Sequence, residues 1–325
     1  MKKIPFKERG NIAYLNKKEE KNKEQEKAPL NSSPRGVVEG KNKNYITKKI
    51  GEKKEKNKKK GGIKIRLINV DGLTKVKYGE LLDLFFKGKR NYNILCLTET
   101  HHNWERLYID ENLENFSAMR DIRDKTKGIK KGGGLKILME KDKNMDFEYI
   151  TCASNDILDL EGKCFNIDLK IILVYFDVDK GAKGKEINDL IRLEIEEKIK
   201  ENKKEGLIIL GDFNAHMEIL EPDRKNDANG KMISDWCDKY DLILLNADEK
   251  CVGTYTRIRG TQKSAIDMVL VNDGFYKYCK DMNIDEKQEK LSFSDHNLIS
   301  VTLRITTNNV ENKFNGKKMD YGRSK

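Results

Sequence analysis

Residues 207–216, LIILGDFNAH, constrain the fold more than any other stretch of the chain. Leu207-Ile208-Ile209-Leu210 is short, aliphatic and unbroken, the pattern of a strand buried on both faces. Gly211 marks its end, or a place where backbone or ligand comes close. Asp212 and Asn214 follow two positions apart, so extended chain puts them on one side and turns Phe213 into packing. A lone Asp-x-Asn also opens turns and caps helices. What gives it weight is recurrence. Asn69 and Asp71 end the aliphatic strand in IKIRLINVDGL, and Glu99 directly follows ILCLT. Asp267 stands where the strand in SAIDMVLV begins, and Asp295 and His296 stand just before LISVTL.

An unpaired buried carboxylate is costly, so acids delivered to one place by several strand ends need a cation. Oxygen-rich clusters of this kind suit Mg²⁺ or Mn²⁺ better than zinc. Between these ends the body reads as strand-rich. Strands are predicted at 63–69, 93–98, 133–139, 147–151, 164–169, 171–176, 207–211, 242–245, 266–271 and 298–304. Helical spacing marks 76–87, 184–206 and 230–241, the second with Ile187, Leu190, Ile191, Ile195 and Ile199 along one side. Gly132-Gly133-Gly134 reads as a backbone requirement before a strand, because no Gly-Lys-Ser/Thr follows it. The expected fold class is α+β, a four-layer αββα sandwich with two mixed sheets face to face and helices outside.

Charge divides the chain. Residues 1–60 hold 20 Lys and Arg against 8 Asp and Glu, a net of +12, while the remainder holds 45 against 46. The basic character therefore belongs to a tail, and any nucleic-acid-binding face on the body must be local. Three of the four prolines also lie in this tail. Disorder is expected for 1–60 and for the basic stretch 307–325, with the domain spanning 61–306. The run KKIGEKKEKNKKKGG reads either as a solvated linker or as a nuclear-localisation or phosphate-binding segment. No stretch is long and apolar enough for a membrane span. The six cysteines form no C-x-x-C pair, as expected of reduced thiols in an intracellular protein. His101 and His102 read as loop residues within reach of a phosphate.

In chain order NVDGL, LTET, VYF, GDFNAH, SAIDMVLV and SDHNLISV resemble the endonuclease/exonuclease/phosphatase superfamily. The likeness is nearest to the apurinic-type endonuclease domain of non-LTR retrotransposons, through CLTETHH, GGGLKI, GDFNAH and TYTR…SAIDMVLV. Inositol-phosphatase-type members fit less well. The resemblance implies Glu99 as main metal ligand, with Asp71 nearby and Asp295 as a further ligand. It implies that Asn69 and Asn214 orient phosphate oxygens and that Asp212 positions or deprotonates the attacking water. His296 would bond the scissile phosphate, held by Asp267. Tyr175 matches the phosphate-contacting tyrosine, although VYFDVD lacks the proline that usually follows it, and Asn229 loosely matches a further asparagine.

The chemistry agrees. A phosphodiester repels hydroxide and has a poor leaving alkoxide, and a divalent ion answers both. A carboxyl crowded by other carboxyls can rise in pKa and serve as a base, and an Asp–His pair fixes the imidazole tautomer. TYTRIRGTQKS adds Arg257, Arg259 and Lys263 to a predicted hairpin beside Asp267, either an ordinary basic loop or, by resemblance, a DNA contact. The expected function is Mg²⁺- or Mn²⁺-dependent DNA nicking by a monomeric, nuclear endonuclease. Rival readings are a phosphomonoesterase or inositol/lipid phosphodiesterase on the same scaffold, and a non-catalytic retroelement relic. About 20 residues follow the last predicted strand, so no reverse transcriptase is expected within this chain.

Overall fold

The computed structural model describes residues 63–86, 92–101, 111–118, 133–178 and 181–304. The expectations for the tails 1–60 and 307–325, and for Gly132 and His102, fall outside these residues.

Strand alternation builds the layers. In β1 (Ile63–Asn69), Ile63, Ile65 and Leu67 enter a core shared by two sheets, while Ile68 enters a second core on the opposite face. That second core is covered by α1 (Lys75–Phe85), through Tyr78, Leu81 and Phe85. Thr74 caps the helix by accepting from the Lys77 N–H. β2 (Tyr92–Thr98), β3 (Leu113–Ala118) and β4 (Leu135–Glu140) extend this sheet.

The second sheet starts with β5 (Met145–Ile150), β6 (Ile157–Cys164) and β7 (Ile167–Tyr175), then continues through β8 (Gly206–Asp212). Between β7 and β8 runs α2 (Ala182–Lys200), and after β8 comes α3 (Ala228–Tyr240). Both helices cover the outer face of this sheet, where Ile191, Ile195, Ile233 and Trp236 meet Ile172, Val174, Leu207 and Ile209. The chain closes with β9 (Ile243–Leu244), a 3₁₀ turn at Leu245–Ala247, β10 (Cys251–Val252), β11 (Arg257–Arg259), β12 (Gln262–Ser264), β13 (Asp267–Val271), α4 (Asp273–Tyr276), β14 (Cys279–Ile284) and β15 (Ile299–Leu303).

The seven-stranded sheet has the order β10-β14-β15-β1-β2-β4-β3 and the six-stranded one β5-β6-β7-β8-β13-β9. The architecture is the four-layer αββα sandwich. In each sheet a parallel pair is flanked by an antiparallel neighbour: β1 and β2 run together beside β15, and β7 and β8 run together beside β13. Consequently the C-terminal ends of β1, β2, β7 and β8 emerge with the start of β13 and the approach to β15. The topology itself gathers the strand ends that carry acids and amides.

Several predicted elements need correction. The strands expected at 164–169 and 171–176 are one strand, β7, preceded by β6, which was not foreseen. Lys170 looked like an interruption, yet it is buried and paired with Glu161 at 2.8 Å and Asp159 at 3.4 Å. Lys198 of α2 reaches the same fully buried Asp159 at 2.9 Å. Leu190, placed on the buried side of α2 by its spacing, is 59% exposed; the packed stripe is Ile191, Ile195 and Ile199, with Ile187 partly buried. Gly211 lies within β8 at φ +153°, where an added Cβ would stand 1.9 Å from the Val174 carbonyl oxygen. Only glycine lets β7 and β8 pair here.

Candidate active site

Asp212 ends β8, paired in register with Tyr175 of β7 and with Asp267 of β13. It is 1% exposed. One carboxylate oxygen accepts the Asn214 backbone N–H at 2.9 Å, and the other accepts the Asn69 carboxamide at 2.9 Å. Asn69 ends β1 in the opposite sheet, so this hydrogen bond ties the two sheets together at the site. The Asn69 carboxamide also favours the charge of Glu99, and its oxygen accepts the Asp71 N–H at 3.0 Å. The Asn214 carboxamide donates to the Phe176 carbonyl at 2.8 Å. Phe213 turns into the outer core and stacks on Phe176.

His296 is almost fully buried, with Nδ1 2.8 Å from Asp267 Oδ2. That contact leaves Nε2 toward the cleft. Burial works against the imidazolium, but the charge and hydrogen bond of Asp267 outweigh it. The pKa of His296 rises to about 9. For Asp212, burial and then the Asp267 charge push the carboxyl up to about 7, against the pull of His296, Asn214 and Asn69. Asp212 is therefore poised to exchange a proton near neutrality while His296 remains cationic.

Glu99 follows β2 and lies across the cleft. Burial disfavours its charge, yet hydrogen bonds from His101, Tyr175 and Asn69 outweigh this and hold the carboxyl at about 2. Burial and the Glu99 charge raise the phenol of Tyr175, which stays protonated. Asp71, Glu99 and His101 offer ligand atoms within 4.8 Å of one another, as do Asp212, Asp267 and His296. The first group is open to the cleft and rich in oxygen, a donor set that fits a hard or borderline divalent ion. The second is buried, and its histidine is already bonded to Asp267, so acid–base work suits it better.

A cleft of about 650 Å³ is lined by Asn69, Asp71, Glu99, Asp212, Asn214 and His296, with Arg257, Arg259 and Asp295 at its rim. It shares Val178, Asn214, Arg257 and Ile266 with a neighbouring groove of about 870 Å³ that reaches Asn229. The sequence-predicted residues thus converge, with four differences, the first being Tyr175, expected to contact phosphate, which is buried beside Glu99 and does not line the cleft. Asp295 stands outside the Asp71–Glu99 group: its Oδ2 holds the Arg257 guanidinium, at 2.9 Å from Nε and 2.8 Å from the terminal nitrogen. Lys263 does not line the cleft but lies over the Tyr255 ring. Asn229 donates to the Phe213 carbonyl at 2.9 Å.

Sequence reasoning missed the supports. Thr256 Oγ1 accepts the N–H groups of Ile266 and Asp267, which fixes the start of β13. The Ser294 hydroxyl donates to the Asn69 carbonyl and accepts the His296 N–H, clamping the histidine loop to β1. Thr and Ser in TYT and SDH carry no pattern that separates such anchors from ordinary loop residues.

The model of the family described as endonuclease-reverse transcriptase matches residues 169–300. No curated protein sequence matches the chain. Among solved structures, the endonuclease domain of TRAS1, a telomere-specific non-LTR retrotransposon, is similar at 17% identity and TM-score 0.52, covering 75% of this chain and 100% of that one. The fold is that of the endonuclease/exonuclease/phosphatase superfamily. The AP endonuclease LMAP from Leishmania major shares it at 13% identity and TM-score 0.56, covering 75% of this chain and 88% of that one. So does the 3′ phosphatase NExo from Neisseria, solved with a product DNA hairpin, at 16% identity and TM-score 0.56, covering 74% and 99%.

Proposed function

We propose that this protein hydrolyses phosphodiester bonds in DNA, nicking it in a divalent-metal-dependent reaction as a retrotransposon-type or abasic-type endonuclease. The observation that carries the reading is the Asn69 bridge, which sets a proton-exchanging carboxyl, Asp212, opposite a firmly ionised one, Glu99, across a single cleft. Glu99 and Asp71 would hold Mg²⁺ or Mn²⁺. Such an ion, when bound, neutralises phosphate oxygens and stabilises the leaving oxygen. Asp212 takes a proton from the attacking water. His296, kept cationic by Asp267, donates a charge-assisted hydrogen bond to the phosphate through Nε2. Asn214 directs its second amide N–H to a phosphate oxygen, Asn69 keeps Asp212 and Glu99 at fixed separation, and Tyr175 steadies Glu99.

DNA as substrate is supported by the family model, by the hairpin product in the Neisseria structure and by the continuation of the cleft into the second groove. Arg259 at the hairpin tip is placed to meet the backbone of a duplex. The test is conversion of supercoiled plasmid to the nicked circle, with and without chelator, by wild type and Asp212→Asn. Nicking by wild type alone, abolished by chelator, is expected. Release of free phosphate from small monoesters with no plasmid nicking would instead establish a phosphatase.

A further inference from the structure

We propose that His101 is a third protein ligand to the ion held by Asp71 and Glu99, and that its imidazole shifts the site's preference from Mg²⁺ toward Mn²⁺. The inference rests on the reading that these two carboxylates hold a divalent ion. Glu99 has two sides. Among the groups that favour its charge, Asn69 and Tyr175 are buried, at 1% and 4% exposed. On the cleft side lie the exposed Asp71 and the half-buried His101, whose Nε2 is 3.2 Å from Glu99 Oε2. The 3.2 Å between His101 Nε2 and Glu99 Oε2 is the spacing of two neighbouring ligands on one ion, so binding would exchange this hydrogen bond for two bonds to the metal.

The backbone is arranged to present these three groups. Asp71, Glu99 and His101 have φ of 41°, 50° and 55°, the left-handed region that L-residues rarely adopt. Strain of this kind persists where the surroundings fix it. Here the Gly72 N–H donates to the Glu99 carbonyl at 2.8 Å, and the His101 N–H donates to the Gly133 carbonyl at 3.1 Å. Gly72, itself at φ +81°, also leaves room for the ring, since a Cβ there would lie 3.3 Å from His101 Nδ1. Mg²⁺ demands hard oxygen ligands, whereas first-row transition ions accept imidazole nitrogen. A set of two carboxylates and one imidazole therefore favours Mn²⁺ over Mg²⁺ more than an all-oxygen site does.

The test is pulsed electron paramagnetic resonance on Mn²⁺ bound to the full chain, with calorimetric titration of Mn²⁺ and Mg²⁺. Wild type should show nitrogen hyperfine coupling of a directly bound imidazole, changing its pattern on ¹⁵N-histidine labelling. His101→Gln should lose the coupling while still binding Mn²⁺. Its Mn²⁺ affinity should fall by at least on the order of tenfold, the lower range for loss of even an outer-sphere partner, with a smaller loss for Mg²⁺. Glu99→Gln should abolish binding. Mn²⁺ that binds in a Glu99-dependent manner without nitrogen coupling in wild type would overturn the role of His101 and leave the carboxylate site standing. Absence of Glu99-dependent binding would overturn both. Labelling marks all four histidines, so if His101→Gln does not fold, His102→Gln, His216→Gln and His296→Gln, each expected to keep the coupling, assign it to His101; its loss in any one of them would overturn the proposal.

Discussion

Asp212→Asn is expected to stabilise the protein at alkaline pH while removing its activity. Asp212 is fully buried beside Asp267, and its carboxyl rises from an ordinary 3.8 to about 7. Burial and the Asp267 charge together disfavour the charged form by on the order of a few kcal/mol. The sign follows from proton binding. Between these two pH values the folded state holds a proton that the unfolded state releases, so wild type loses stability as pH climbs through 7. The loss is complete above that pH and absent below 3.8. Asparagine never ionises and escapes the penalty. It turns an N–H toward the Asn69 amide where the carboxylate accepted one, which costs about 1–3 kcal/mol. The net gain is on the order of 1–3 kcal/mol above pH 7, at about 2–4 °C in Tm per kcal/mol for a domain of this size. Below pH 4 the gain vanishes or reverses. Thermal unfolding of both proteins in chelator from pH 4 to 9 measures the difference. A variant less stable than wild type at pH 8, or a difference that ignores pH, would refute the argument that burial and Asp267 set this carboxyl.

Three further outcomes are expected. Glu99→Gln should lower turnover by on the order of 10²–10⁴; wild-type nicking at low Mg²⁺ by this variant would remove Glu99 from the metal site. The pH profile of kcat/KM should rise as Asp212 deprotonates near 7 and fall as His296 deprotonates near 9. Both limbs belong to the coupled pair. Asp267→Asn should move both to lower pH, because Asp267 raises each group; an unmoved alkaline limb in initial nicking rates would contradict this. The two rim arginines should separate. Arg257→Ala releases Asp295 beside His296 and should slow both DNA and a small diester. Arg259→Ala should raise KM for DNA and flatten its salt dependence, leaving the small ester alone. Identical profiles for the two variants would dissolve the distinction.

The strand-end residues were legible because backbone period and strand boundary place them before any contact is known. Asn69, Glu99, Asp212, Asp267 and His296 each follow or precede an aliphatic run, and buried runs of this kind have few alternatives. The register of Asp212 against Tyr175 and Asp267 then needed only the sheet order. β6 was illegible for the opposite reason: ILDLEGKC carries Asp159 and Glu161, charges that become compatible with burial only once Lys170 and Lys198 arrive from elsewhere. β14, with CKDMNI, hides its buried Cys279, Met282 and Ile284 among polar residues because a bulge between Cys279 and Asp281 breaks the two-residue period. The pairing of Arg257 with Asp295 depends on a backbone bridge between β11 and His296, a contact between loops that periodicity does not reach. His101 read as a loop residue because a left-handed turn leaves no periodic trace.

The pairing of β1 with β15 has a consequence for how the chain is made. The strands lie at opposite ends of the domain, and the Ser294 clamp joins residues 225 apart in sequence. Contacts of such separation form late, since the intervening chain must first be closed. During synthesis, a ribosome-bound segment complete through Val271 already holds Asn69, Glu99, Asp212 and Asp267, but neither His296 nor the strand that anchors it. Under the proposed function such a segment lacks the imidazole that bonds the phosphate, so hydrolysis is expected only once β15 has paired with β1 and Ser294 has clamped the histidine loop.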